Sequence, residues 1–249
     1  VGFLTLLYGL FAYLAFLAAF GYLVVFTGDL GGPRTVSAGP AAPPAAALAL
    51  DLGLLALFAL QHSLMARPAF KRAWTRVVPP AAERSTYVLA SSLALAVLYR
   101  GWRPLPGVVW QAQPPALRLA IQALFWAGVA LALASTFLIS HAALFGLGQA
   151  WARFRRRPWR EPPFRLTALY ARVRHPLMLG YLAVLWAAPT LTWSRLLFAA
   201  GMSAYILVGT RLEERDLLRT LGPDYAAYRR TVPRFFPLPG RRADKPPDP

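Results

Sequence analysis

The sequence contains no cysteine. That removes disulfides, thiolate nucleophiles and cysteine-ligated metals from consideration. It is also poor in acid: 10 Asp and Glu stand against 27 Lys and Arg in 249 residues, for a formal net charge of +17. Charged residues of both signs make up only 15% of the chain, where an ordinary soluble domain carries about 25%. There are three histidines and no His-x-x-x-His spacing, which leaves little to hold a metal or haem. No glycine-rich strand-to-helix turn of the soluble dinucleotide-binding kind occurs. No series of alternating ten-residue segments occurs either, which argues against a membrane barrel.

What is present is apolar sequence in long runs. Residues 1–28, 119–152 and 175–194 carry no charged side chain. Shorter uncharged runs occupy 52–66, 85–99 and 196–210. A helix needs roughly 20 apolar residues to cross the hydrocarbon layer, and flanking Arg or Lys can snorkel to extend a shorter run. Unpaired backbone cannot face lipid, so runs of this kind must be helices. The expected fold is therefore all-α: a polytopic transmembrane helical bundle of about six helices, five to seven by run length. Expected spans are 3–26, 46–66, 85–101, 117–140, one opening at His175-Pro176, and 193–212. The first run lacks a basic start and is long for a signal sequence, so it reads as a membrane helix. The chain starts on Val1 and not Met, as a trimmed or incomplete N-terminus would.

Punctuation between the runs is clear. Residues 28–44 are rich in Gly, Pro and Ala. Arg67-Pro68 ends the second span, and 69–84 reads as a basic interfacial stretch anchored by Trp74. Pro189-Thr190 reads as a tight turn into the last span. That helix is expected to continue to 221 and stop at Gly222-Pro223-Asp224, with Asp224 capping a last short helix through Arg230. Residues 1–236 read as one domain with its catalytic half in 141–236, and 237–249 as a disordered tail.

The positive charge sits in three blocks: 67–84, 153–174 and 211 onward. Lys and Arg favour the cytoplasmic side. Six spans with both termini cytoplasmic put all three blocks there, leaving Arg100 and Arg103 outside. Blocks between apolar runs suit anionic headgroups of membrane lipids and not nucleic acid. The expected location is the bacterial inner, cytoplasmic membrane, with a site opening inward. Nothing in the sequence sets an oligomeric state.

Polar groups at membrane depth are functional candidates. Antiparallel fifth and sixth spans would bring His175 to Glu213 and Glu214. At 100° per residue Arg211, Arg215 and Arg219 share one helix face, and both glutamates lie off it, towards protein. A solvated helix end with weak salt bridges is the bland alternative. His62, with Ser63 beside it, and His141 fall near the cytoplasmic ends of their helices and are candidate bases. Each histidine can equally be a satisfied structural group, and Ser63 can simply back-bond to its own helix. Asp51 reads as a surface or structural residue.

Three stretches carry a family likeness. Arg174-His175-Pro176 followed by Gly180, the pair Glu213-Glu214, and Gly222-Pro223-Asp224-Tyr225-x-x-Tyr228 before Val232-Pro233-Arg234 resemble the C-terminal signature of the isoprenylcysteine carboxyl methyltransferase superfamily. Gln61-His62-Ser63 through Pro68, Glu83-Arg84-Ser85-Thr86-Tyr87, and Ser140-His141 through Gly146 resemble the related methanethiol S-methyltransferase family over most of 1–236. Met178 stands where the superfamily commonly has Tyr, and Ala168 where it often has Gly. The resemblance implies an integral-membrane enzyme that uses S-adenosylmethionine to convert methanethiol, a small thiol, to dimethyl sulfide.

Under that implication the donor's carboxylate suits Arg174, His175 or backbone N–H groups at the start of the fifth span, which also holds Gly180. Its amino group suits Glu213 or Glu214. Tyr170, Tyr181 or Tyr205 would face the sulfonium or stack on adenine. In-line transfer needs the reacting atoms held roughly 3–3.5 Å apart and the acceptor as a thiolate, which makes His62, His141 and Ser63 the catalytic candidates. Two other readings fit the same residues: methylation of a larger lipophilic thiol or prenylcysteine carboxylate, and a non-enzymatic membrane protein of the nitric-oxide-reductase-associated kind.

Overall fold

The computed structural model describes residues 2–161 and 169–237. Ala168 and the tail from 238 lie outside the described residues. In chain order the elements are α1 (Gly2–Gly28), α2 (Pro44–Ala66), α3 (Pro68–Trp74), α4 (Pro80–Gly101), β1 (Val108–Gln111), α5 (Pro115–Ile139), α6 (His141–Leu144), α7 (Leu147–Phe154), α8 (Pro176–Trp186), β2 (Thr190–Thr192) and α9 (Trp193–Thr231). The expected all-α membrane bundle is borne out. Among the described residues four helices, α1, α2, α5 and α9, are long and apolar enough to cross a membrane. Of the other two expected spans, α4 is long but carries Glu83, Arg84 and Arg100, and α8 is apolar but has 11 residues.

Local chemistry explains the boundaries. Pro44, Pro68, Pro80 and Pro176 each stand in the first turn of a helix, where the missing N–H costs nothing. Arg67, extended at φ −71° and ψ 140°, separates α2 from α3. The tight turn expected at Pro189-Thr190 is replaced by β2, which pairs antiparallel with β1. The stop expected at Gly222 is a break within α9, at φ 57° and ψ −128°, after which the chain is helical again to Thr231.

The chain forms two compact units. The first comprises Val1–Gln111, Ser140–Pro162 and Thr190–Phe198. In it α4 packs against both α1 and α2, and α7 lies on α1. Phe3, Leu4, Phe11 and Leu14 project from α1 largely uncovered, as a lipid-facing stripe does. The loops at the α4 C-terminal end are pinned by polar contacts. Trp102 donates to the Val36 carbonyl at 3.1 Å and to Ser194 at 2.9 Å. Asp51 is fully buried and accepts from the Arg103 N–H at 2.9 Å, so its role is structural. Two arginines cap the C-terminal end of α4: Arg103 donates to the carbonyls of Gly101 and Trp102, and Arg34 to that of Arg100.

The second unit comprises Ala112–Ile139, Pro163–Pro189 and Ala199–Pro249. Its densest packing is α5 on α8. The helices touch through Gly128 and Gly180: a Cβ at Gly180 would lie 2.7 Å from the Ala132 nitrogen and 2.8 Å from the Gly128 oxygen. Two side-chain bonds fix α8 antiparallel to α9. Trp186 donates to Ser203 at 2.9 Å, and His175 meets Glu214 at 3.1 Å.

Candidate active site

In the second unit, two consecutive residues at the start of α8 meet two consecutive glutamates of α9. Glu214 is 2% exposed, and both its oxygens are taken. Oε1 accepts from Arg174 Nε at 3.0 Å and lies 3.1 Å from His175 Nε2; Oε2 accepts from Arg234 at 2.6 Å. Arg174 also donates to the carbonyls of Arg229 and Val232. Main-chain bonds run alongside, from the Arg174 N–H to Pro233 O and from the His175 N–H to Arg234 O. Burial on its own would raise the Glu214 pKa, but the hydrogen bond from Arg234 and the charge of Arg174 pull it down to about 2. The carboxylate is thus held as an anion at neutral pH and straps the 232–234 segment to the entrance of α8.

Glu213 differs. Its side chain is 52% exposed, and one oxygen lies 3.7 Å from His175 Nδ1. The expectation that both glutamates turn towards protein therefore holds for Glu214 alone, because successive helical residues are 100° apart. Arg211, Arg215 and Arg219 form an exposed face as expected. Tyr170 is half-buried, and its carbonyl accepts from the Tyr228 hydroxyl at 2.6 Å. Burial, reinforced by the Glu213 charge, keeps the Tyr170 phenol un-ionised. Tyr181 and Tyr205 are half-buried on α8 and α9. Gly180 lies at the α5–α8 contact, where helix packing accounts for its missing side chain. At the head of α8, the His175 N–H goes to Arg234 O and Pro176 has none. Among the described residues, that leaves the N–H groups of Leu177 and Met178 as the first-turn donors without a helical partner.

In the first unit, the three upstream motifs assemble into one cluster. His62, in the last turns of α2, meets α4: its Nε2 lies 2.6 Å from the Tyr87 hydroxyl and its Nδ1 3.0 Å from Ser91 Oγ. Arg84 donates to the Leu144 carbonyl at 2.7 Å, and its guanidinium sits 5.0 Å from the centre of the Tyr87 ring. Gly146, at φ 83°, lies against Ser85 so closely that a Cβ would be 2.7 Å from the Ser85 nitrogen. His141 meets Tyr13 of α1 at 2.8 Å, and burial lowers its pKa. Tyr87, Val88 and Phe145 form the buried centre, with Tyr13, Phe16, Met65 and Leu144 packed around it. His62 and His141 thus border one apolar cluster. Ser63 joins the described contacts through its carbonyl, which accepts from Arg67. His175 belongs to the other unit.

Sequence reasoning passed over Tyr87, Ser91, Tyr13 and Arg234 as site residues. Tyr87 and Arg234 stood within the quoted motifs. Ser91 is four residues on from Tyr87, one turn along the same face, which was the available signal. Tyr13 had none, since its partner is 128 residues away.

Known proteins resemble this chain over most of its length. The model of the NnrU protein family matches residues 50–234. A methanethiol S-methyltransferase of Mycobacterium tuberculosis is 52% identical over 239 residues, 96% of this chain and 98% of the relative. Methanethiol S-methyltransferase 2 of Bradyrhizobium diazoefficiens is 47% identical over 93% of this chain and 89% of its own. Human nurim is 36% identical over 69% of this chain and 68% of its own. No solved structure matches. His62, His141 and His175 fall inside residues 50–234, and the chain belongs to the NnrU protein family and to the methanethiol S-methyltransferases.

Proposed function

We propose that this protein is an integral-membrane methyltransferase that converts methanethiol to dimethyl sulfide, with S-adenosylmethionine as donor. The observation that carries the reading is the 52% identity, over nearly the whole of both chains, to a relative of that name. It spans the histidine cluster of the first unit and the ionic site of the second. The basic blocks support a setting in the bacterial inner membrane with the site open to the cytoplasm.

The second unit suits the polar end of such a donor. Glu213 is the accessible carboxylate for its amino group, since Glu214 is saturated by arginine. The N–H groups of Leu177 and Met178, at the positive end of α8, suit its carboxylate. Arg174 and His175 hold this entrance in place through Glu214. Tyr170, Tyr181 and Tyr205 offer aromatic surface for the sulfonium or adenine. Gly180 supports the same helix by letting α5 approach. The donor supplies an electrophilic methyl group on a sulfonium, and the chain supplies position and a means to ionise the thiol. His62 and His141 are the groups of the first unit assigned to that ionisation, with Ser63 beside His62.

The test is headspace detection of dimethyl sulfide from purified protein in detergent, given methanethiol and S-adenosylmethionine. Product that depends on both substrates is expected. Donor binding without product from methanethiol overturns the acceptor assignment, and absence of donor binding overturns the whole reading.

A further inference from the structure

The first unit carries a basic hollow outside the histidine cluster. It measures about 370 Å³ and is lined by Pro80 and Ala81 at the start of α4, Gln149 and Arg153 of α7, and Arg157 and Trp159 beyond α7. No acid lines it among the described residues, whereas Glu83 and Glu161 share the adjoining hollow with Lys71 and Arg72. Arg153 and Arg157 form no ion pair among the described residues. Their charge is therefore available to an anion. Gln149 is 8% exposed. Its amide nitrogen donates to Ala143 O at 3.2 Å, and its oxygen has no partner among the described residues. A buried polar atom in that state calls for a ligand or water to complete it.

The turn after α7 brings the two arginines together. The Arg156 N–H bonds to Arg153 O at 3.2 Å, and the Arg157 N–H to Ala152 O at 2.9 Å. These are the paired bonds of a Schellman helix end, whose turning residue is left-handed and normally glycine. Here that residue is Arg156, at φ 55°, a strained conformation for a side chain with a Cβ. The turn folds the chain back so that Arg157 joins Arg153 on one hollow. Trp159 is seated against α7 because position 148 has no side chain: a Cβ at Gly148 would lie 2.5 Å from the Trp159 ring.

The hollow sits where two apolar spans end. The start of α1 lies against the end of α7: a Cβ at Gly2 would be 3.1 Å from Arg153 O, and the Phe3 and Phe154 rings are 6.5 Å apart. α2 ends at Ala66, and α3 begins at Pro68 and carries Lys71 and Arg72 of the adjoining hollow. From Phe3 the uncovered stripe of α1 runs through Leu7 and Phe11 to Leu14, about 17 Å of helix at 1.5 Å per residue. Trp151 and Phe154, exposed on either side of Arg153, are of the type that anchors at a membrane surface. Paired cations thus stand at the head of an apolar stripe.

We propose that this hollow is a binding site for the phosphate of an anionic phospholipid, whose acyl chains lie along the α1 stripe. The site is independent of methyl transfer. Arg153 and Arg157 hold the phosphate through charge-assisted hydrogen bonds, and the positive end of α4 at Ala81 adds to the field. A zwitterionic lipid brings an ammonium that the same arginines repel. A nucleic acid would match the cations and leave the stripe without a partner.

The experiment follows thermal melting of the purified protein in an uncharged detergent. The probes are dioctanoyl phosphatidylglycerol, dioctanoyl phosphatidylcholine and glycerol 3-phosphate. The site variant is Arg153→Gln with Arg157→Gln. A matched variant, Arg155→Gln with Arg156→Gly, removes the same charge from outside the hollow and keeps the turn. Melting without lipid checks the fold of each. Phosphatidylglycerol is expected to raise the melting temperature of the wild type and of the matched variant. The site variant is expected to bind it about 10-fold or more weakly, the scale of a lost hydrogen bond to a charged group. Phosphatidylcholine and glycerol 3-phosphate are expected to give little shift at the same concentration. Equal losses in the two double variants overturn the site in favour of diffuse surface charge. An equal shift with phosphatidylcholine overturns the selection for an anion. An equal shift with glycerol 3-phosphate overturns the lipid and leaves a site for free phosphate.

Discussion

His62 and His175 occupy opposite kinds of environment. His62 is held by two hydroxyls, from Tyr87 and Ser91, against an aromatic and aliphatic cluster. His175 is held between two carboxylates, of which Glu214 is itself bound by two arginines. The first is a hydrogen-bonded group among neutral hydroxyls, and the second is part of an ionic strap. The difference teaches that a histidine in a membrane protein is read by its partners and not by its depth. Hydroxyl partners bring no charge to an imidazole, whereas a buried carboxylate shared with two guanidiniums commits its neighbours to structure.

The sharpest break of this comparison is Glu214→Ala. It leaves Arg174 and Arg234 without their anion, and removing one partner of a buried pair costs about 3–5 kcal/mol. A large fall in melting temperature is expected by thermal unfolding in detergent. Acid should reproduce it. The folded pKa of Glu214 is depressed from 4.5 to about 2. Its contribution is therefore fully present above pH 4.5 and is lost as the pH falls towards 2. A melting series from pH 7 to pH 2 should show that acid-side loss in the wild type and its absence in Glu214→Ala.

The adjacent carboxylate gives the contrast. Glu213→Gln should leave the melting temperature nearly unchanged but weaken S-adenosylmethionine by about 1.5–3 kcal/mol, the worth of a hydrogen bond to a charged group. Calorimetric titration measures it. Equal effects of the two glutamate variants on stability would erase the distinction drawn between them. Next in size is Gly180→Ala, which forces α8 off α5. A cost of about 1–3 kcal/mol is expected from overpacking, read in the same melting assay. The smallest is Tyr13→Phe, which removes one hydrogen bond to His141 and should cost about 0.5–1.5 kcal/mol. The same melting assay reads it.

Much of the ionic site was legible in the sequence. Arg174-His175-Pro176 announces a helix start, Glu213-Glu214 sits past the last apolar run, and antiparallel neighbours bring them together. What could not be read was which glutamate is spent. One residue's difference is a 100° turn, and only the path of the 232–234 segment, which delivers Arg234, decides which carboxylate it meets. Gly180 shows the same limit: its place in a motif suggested a ligand, and its contacts give it a packing role.

The sequence by itself determined that this protein lives in lipid. Scarce, clustered charge and long uncharged runs leave helices as the only way to satisfy the backbone. It also determined the helix starts, because proline at the first turn is a local effect. The tertiary structure alone decided the partners of the histidines. Tyr87 lies 25 residues from His62, and Tyr13 lies 128 from His141. Contacts at such separations depend on how whole helices pack, and no local pattern encodes them. His62 was visible as a candidate in the sequence, and its phenol partner Tyr87 only in the fold.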